Sequence, residues 1–177
     1  MSANVQVGFS TGKDSAVSEI IRKVTGCPYS HAFYLYQSTE FGCQMLLQED
    51  HGGPQQTPLE LFLEMNTLVE VWTPNVSIDA VLPAVLPLYG FGYDYGGLVG
   101  QGLLEIQAKL EHSAEVHDRN PLHSDKTLFC SAFVAAGLEL IRFPGFPLDW
   151  PPGVTPQLLH GLLEPLGTFA PPVPASM

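Results

Sequence analysis

Strand-like runs occur only in the first 72 residues of this chain: Val5–Phe9, His31–Tyr36, Gln44–Glu49 and Leu68–Trp72. Apolar residues at helical spacing dominate the remainder of the chain. That order predicts an α+β fold rather than an alternating βαβ one. The sheet is expected to be small and antiparallel, to contain 31–36, 44–49 and 68–72, and to carry a later helix on one face. Between the strands, Asp14 or Ser15 caps a helix whose Val17, Ile20, Ile21 and Val24 share one face, and Gly26 and Pro28 end it. A polar turn with Gly42 joins 31–36 to 44–49. After Gly52-Gly53-Pro54, Thr57-Pro58 opens a short helix through about Phe62.

The second half reads more coarsely. Residues 78–88 have helical spacing in spite of Pro83 and Pro87. Gly90–Gly97 is a turn region before a helix at about 98–110. The polar stretch 113–126 reads as a surface loop or a flap, with His112, His117 and His123 in or beside it. A Pro-rich stretch covers 143–152, a last helix spans about 155–164, and the tail from about 168 is expected to be loose. With no repeat and no linker, residues 1–177 form a single domain.

Composition excludes several functions. At 45% hydrophobic and 14% charged residues the chain can build a sizeable core. No apolar run approaches the ~20 residues of a membrane span, and the start lacks a secretory n-region and h-region, so a cytoplasmic location is expected. Three cysteines without Cys-x-x-Cys spacing argue against a disulfide framework and a four-thiolate zinc site. The three loop histidines fit no regular metal-ligand spacing, and no cofactor is expected. The net charge is −11 with only seven Lys and Arg, which makes nucleic acid and anionic membranes poor partners and favours encounter with cationic ones.

The stretch Thr127–Leu140 carries the chemistry. Phe129, Phe133, Ala136 and Leu140 fall at helical spacing, Val134 and Ile141 widen the stripe, and Ser124, Asp125 and Thr127 are candidate caps. Cys130 then sits in the first turn. Unpaired N–H groups and the positive end of the helix dipole favour an anion there and pull a thiol below its ordinary pKa of about 8.5. The plain alternative is a buried structural cysteine.

A nucleophilic cysteine needs a base, and the base needs a partner that holds its tautomer. If the hairpin turns symmetrically about Glu40, Leu35 faces Met45, Phe33 faces Leu47 and His31 faces Glu49. All these inward pairs are apolar except the last, which sets an imidazole beside a carboxylate with Cβ atoms about 5 Å apart. A slip in register would break that pairing.

Ser30-His31 opening a strand, Glu49 closing the next, Tyr93-Asp94-Tyr95 after a glycine and Phe129-Cys130-Ser131 opening a helix resemble the circularly permuted NlpC-type papain-like hydrolases. The likeness runs from Val5 to about Leu163. In the ordinary papain order the cysteine comes first; in the permuted group the histidine strand precedes the cysteine helix, as here. The resemblance implies a papain-like domain with Cys130 as nucleophile, His31 as general base and Glu49 as orienter. Tyr93 or Tyr95, with the Cys130 N–H, become oxyanion-hole candidates. It also implies a thiol-dependent amidase or peptidase acting on amide or ester bonds, often in peptidoglycan peptides, while relatives transfer acyl chains. The partner would be a small peptide, acyl or cell-wall substrate. Asp50 and His51 compete with Glu49 for the orienting place, and the loop 113–126 lies where it can cover the cleft.

Two other readings stand beside this one. Phe9-Ser-Thr-Gly-Lys-Asp-Ser15 resembles the phosphate loop of ATP pyrophosphatases, although Thr11 stands where that family has its first glycine. The other keeps the papain-like fold without catalysis, as a binding or virion-assembly module.

Overall fold

The computed structural model describes residues 4–50, 52–90, 92–93, 127–148 and 154–171. In chain order the elements are β1 (Gln6–Gly12), α1 (Ala16–Thr25), β2 (His31–Gln37), β3 (Gln44–Asp50), β4 (Gly53–Pro58), α2 (Leu59–Met65), β5 (Asn66–Trp72) and α3 (Ile78–Val85). A 3-10 turn (Leu86–Gly90), β6 (Gly92–Tyr93), β7 (Thr127–Leu128), α4 (Cys130–Leu140), α5 (Pro156–Leu163), a second 3-10 turn (Glu164–Leu166) and β8 (Phe169–Ala170) complete them. The fold is α+β: six strands form an antiparallel sheet in the order β4-β3-β2-β1-β5-β8, and β6 pairs separately and in parallel with β7.

The sheet is larger than the alternating runs alone suggest. Gly53, at φ 97°, turns the chain back, so that β4 pairs with β3 from Asp50↔Gly53 to Met45↔Pro58. Pro54 and Pro58 are tolerated because β4 is an edge strand. The helix expected from Thr57 therefore starts at Leu59, with Pro58 as its N-cap. The tail is tied down further than expected. Phe169 and Ala170 pair with Trp72 and Val71, and the Phe169 ring stacks on His160 at 3.9 Å. His160 Nε2 in turn lies 3.1 Å from Glu70 Oε1 on β5. The expected helix at 98–110 and the loop 113–126 lie outside the described residues.

Both faces of the central strands are covered. On one face Val7, Phe9, Tyr34, Met45, Leu47 and Trp72 pack with Val81 and Val85 of α3, Phe133 and Leu138 of α4, and Leu159 and Leu163 of α5. On the other, Phe33, Leu35, Leu46 and Val71 pack with Leu59 and Phe62 of α2. The Tyr34 hydroxyl donates to the Val134 carbonyl at 2.5 Å and so fastens β2 to α4. Gly137 permits that approach: a Cβ there would overlap the Tyr34 hydroxyl and come within 2.9 Å of Val85 Cγ1. Gly137→Ala is therefore expected to destabilise the fold by about 1–3 kcal/mol, read as a lowered urea midpoint with an unchanged m-value.

Three of the described helices begin with a side-chain cap, and α2 and α4 do not. Ser15 caps α1 by accepting the Ser18 N–H, and Gly26 closes it at φ 75°. Ser77 caps α3 through the Asp79 N–H. Helix α4 is different. Thr127 belongs to β7, and the N-cap is Phe129, which has no side-chain acceptor. Ser124 and Asp125 lie outside the described residues.

Candidate active site

The register of the β2–β3 hairpin decides which residues meet. Its turn is closed by Ser38 N–H donating to Cys43 O at 2.9 Å and Phe41 N–H donating to Ser38 Oγ at 3.2 Å, with Gly42 at φ 69°. The pairs run Tyr34↔Leu47, Leu35↔Leu46, Tyr36↔Met45 and Gln37↔Gln44, one residue away from a turn symmetric about Glu40. A one-residue shift exchanges the faces of a strand. Met45 and Leu47 thus lie with Tyr34 and Tyr36 on the side covered by α4. Glu49 joins them by alternation, while Gln48 joins Leu46 on the side of Phe33 and His31.

Glu49 is consequently not the orienter of His31. Gln48 takes that place, with its Oε1 2.8 Å from His31 Nε2. The buried Gln48 amide is fixed in turn by donating to Thr57 Oγ1 on β4 at 3.2 Å. An amide oxygen only accepts, so Nε2 carries the hydrogen and Nδ1 is left for the sulfur. Phe62 stacks on the imidazole at 6.0 Å and Phe33 lies 5.8 Å from it, which fixes the ring plane. Asp50 accepts from Gln55 Nε2 at 3.1 Å and acts on His31 through its charge. His51 lies outside the described residues.

Cys130 is the first residue of α4 and is buried. The β2–β3 pairs end at Tyr34↔Leu47, and beyond them the Cys130 sulfur meets the start of β2. The His31 ring and the main-chain N–H groups of Ala32 and Ser131 lie close enough to act on it. Burial pushes the thiol up, but the His31 charge and these donors outweigh it and hold Cys130 below the ordinary thiol range. Burial likewise pushes His31 down. The Cys130 charge and hydrogen bond, the Gln48 bond and the Asp50 charge outweigh that and hold the imidazole above its usual range. Both shifts favour a thiolate–imidazolium pair.

Glu49 has no exposed surface, and neither carboxyl oxygen has a hydrogen-bond partner. Burial, then the charges of Cys130 and Asp50, push its pKa up to about 8. It is thus held towards its neutral acid form, within reach of the sulfur's charge, and is not a carboxylate on the imidazole. Of the two oxyanion candidates, Tyr93 is placed only through its main chain, in β6 beside Leu128, and Tyr95 lies outside the described residues. Ser131, next to Cys130, is held within the fold: its Oγ donates to Val154 O at 2.6 Å.

The other cysteines lie elsewhere. Cys27 donates to Tyr29 O at 3.1 Å, and Cys43 is exposed in the hairpin turn. The Phe9–Ser15 segment is spent internally. Lys13 Nζ donates to Leu63 O at 2.6 Å and Glu64 O at 3.2 Å, Lys13 N–H donates to Met65 O, and Gly12 N–H donates to Ser18 Oγ. Strand β1 also lies between two antiparallel neighbours, unlike a strand at the switch point of a parallel sheet. These contacts fit a structural turn. Among the described residues no cluster of His, Cys, Asp and Glu is placed to hold a metal ion, and no helix is long and apolar enough to cross a membrane. His112, His117 and His123 lie outside the described residues. No protein-family model matches the chain, and no curated protein matches it.

Proposed function

We propose that this protein is a cysteine-dependent hydrolase of the permuted papain-like type, cleaving an amide, ester or thioester bond through an acyl-thioester on Cys130. The observation that carries this reading is the chain of contacts Cys130–His31–Gln48 at the first residue of a helix: a sulfur, a base and a tautomer holder from three separate elements. The thiolate attacks the carbonyl carbon, a C–S bond forms and the carbonyl π pair moves to oxygen. When the intermediate collapses, the bond to the leaving group breaks and His31 gives that group its proton. Water then attacks the thioester with His31 as base, releasing the acid and restoring the thiol. Small peptides, acyl groups and cell-wall peptides are the substrates the family resemblance suggests.

Iodoacetamide labelling coupled to peptide mass spectrometry tests it. Cys130 is expected to react well before Cys27 and even before the exposed Cys43, with a rate that rises through a pH midpoint below the ordinary ~8.5. If Cys130 reacts no faster than the other two, the catalytically silent binding module takes the place of the hydrolase. Gln48→Leu leaves the sulfur and the imidazole in place but frees the ring. It is expected to raise the labelling midpoint and to slow acylation by p-nitrophenyl acetate by about 10-fold, the scale of losing an orienting partner.

A further inference from the structure

Glu49 is the one buried carboxyl group among the described residues. Of the other buried polar side chains, Gln48, Ser131 and Thr155 have partners (Thr57 and His31 for Gln48, Val154 for Ser131, the Leu158 N–H for Thr155), while the Ser10 and Ser30 hydroxyls have none. Both oxygens of Glu49 have none. The side chain lies on the face of β3 that α4 covers, near enough to Cys130 for the sulfur's charge to act on it. We infer that Glu49, as a carboxylic acid, is a further catalytic residue, whose O–H hydrogen-bonds the substrate carbonyl oxygen as it becomes an oxyanion. This rests on the acyl-thioester reading.

Two other roles for Glu49 are closed. Orienting the imidazole belongs to Gln48. Acting as a base requires an ionised carboxylate, and the groups acting on Glu49 oppose one. They are the Cys130 thiolate from α4 and Asp50 from its own strand, with no cation among them, and burial adds to both. What remains is a neutral O–H donor beside a nucleophile, in a water-poor place where such a donor is strongest. It stabilises charge that develops only during the reaction, which raises the rate without tightening substrate binding. The Glu49 proton is shared and not transferred; the proton delivered to the leaving group is the one on His31.

Acylation and alkylation of the same sulfur separate this role from a structural one. Acylation by p-nitrophenyl acetate passes through an oxyanion, whereas alkylation by iodoacetamide does not. The nitrophenolate burst and the Cys130 alkylation rate are measured for the native protein, Glu49→Met and Glu49→Gln. The expected result is a burst rate about 10²-fold lower in Glu49→Met with unchanged alkylation. Glu49→Gln, which keeps an N–H donor, retains the burst and loses the component of its decline near pH 8 that alkylation does not share. A Glu49→Met burst at the native rate overturns the inference. So does a loss of alkylation parallel to the loss of burst, because the carboxyl would then only hold the site together. Rapid Cys130 alkylation with no burst in the native protein overturns the acyl-thioester reading, and this inference with it.

Discussion

His31→Ala is expected to slow acylation of Cys130 by roughly 10²–10⁴-fold, the scale of a positioned general acid–base group. The substitution removes the charge and the hydrogen bond that hold the thiol down, while the burial that pushes it up remains. It also removes the proton that leaves with the departing group. The two losses separate by pH. Alkylation by iodoacetamide needs only the thiolate, so in the variant it recovers as pH rises. Acylation by an amide, whose leaving nitrogen must take a proton, needs the imidazolium as well and does not recover. In the native protein the reactive pair exists above the lowered Cys130 midpoint and below the raised His31 midpoint. Acylation should therefore be bell-shaped in pH, and alkylation should level off. A pH profile of acylation by an anilide substrate, taken on both proteins, decides this. An acylation profile that only rises, or a variant within tenfold of native, would remove His31 from the reaction.

Glu49→Gln is expected to change stability in a way that grows with pH. The folded group titrates at about 8 against an ordinary 4.5, so between these values the folded state holds a proton that the unfolded chain has released. Stability contributed by that proton is fully present below pH 4.5 and is lost as pH rises through about 8. Each unit costs about 1.4 kcal/mol. The variant cannot titrate there. Relative to native it should gain on the order of 3–5 kcal/mol between pH 4.5 and pH 8, and nothing further above that range. Urea denaturation at pH 5, 6.5 and 8 checks the slope. A native-minus-variant difference that is flat in pH would mean that the folded carboxyl is ionised throughout. Selection for stability alone would not keep such a residue, which is a reason to look for its use at the sulfur.

Much of the site can be read from residue type and spacing, and the one misplaced partner has a definite origin. Cys130 at a helix start and His31 at a strand start both come from local pattern. The partner of His31 does not, because it depends on register. Register is legible when one face of a strand is polar, yet β2 is buried from Ala32 to Tyr36 and β3 from Met45 to Glu49. With both faces apolar, a symmetric turn about Glu40 and one displaced by a residue place equally good cores, and only the backbone of 38–43 separates them. Gln48 carries a weak signal as a polar residue beside an apolar run and next to a glutamate, but a carboxylate is the more familiar partner for an imidazole. Strand β4 is hidden for another reason: an edge strand tolerates Gly53, Pro54 and Pro58, residues that ordinarily mark a break. Strand β8 is two residues long and owes its place to His160 and Trp72.

Helix α4 begins without a capping side chain, and its Ser131 N–H helps hold the sulfur of its own first residue below the ordinary thiol range. The helix start therefore favours negative charge on the sulfur that stands in its first turn. In the proposed reaction the sulfur gives up its negative charge as the C–S bond forms, and a thioester sulfur is a poor acceptor. The N–H dipoles that stabilised sulfur are released at the moment a second anion arises on oxygen, one carbon away. A set of donors already aligned for one charge needs little reorganisation to receive the other. Permanent alkylation of Cys130 interrupts that exchange and removes the charge that the first turn of α4 and His31 stabilise, so the labelled protein should unfold at a lower temperature than the free thiol form.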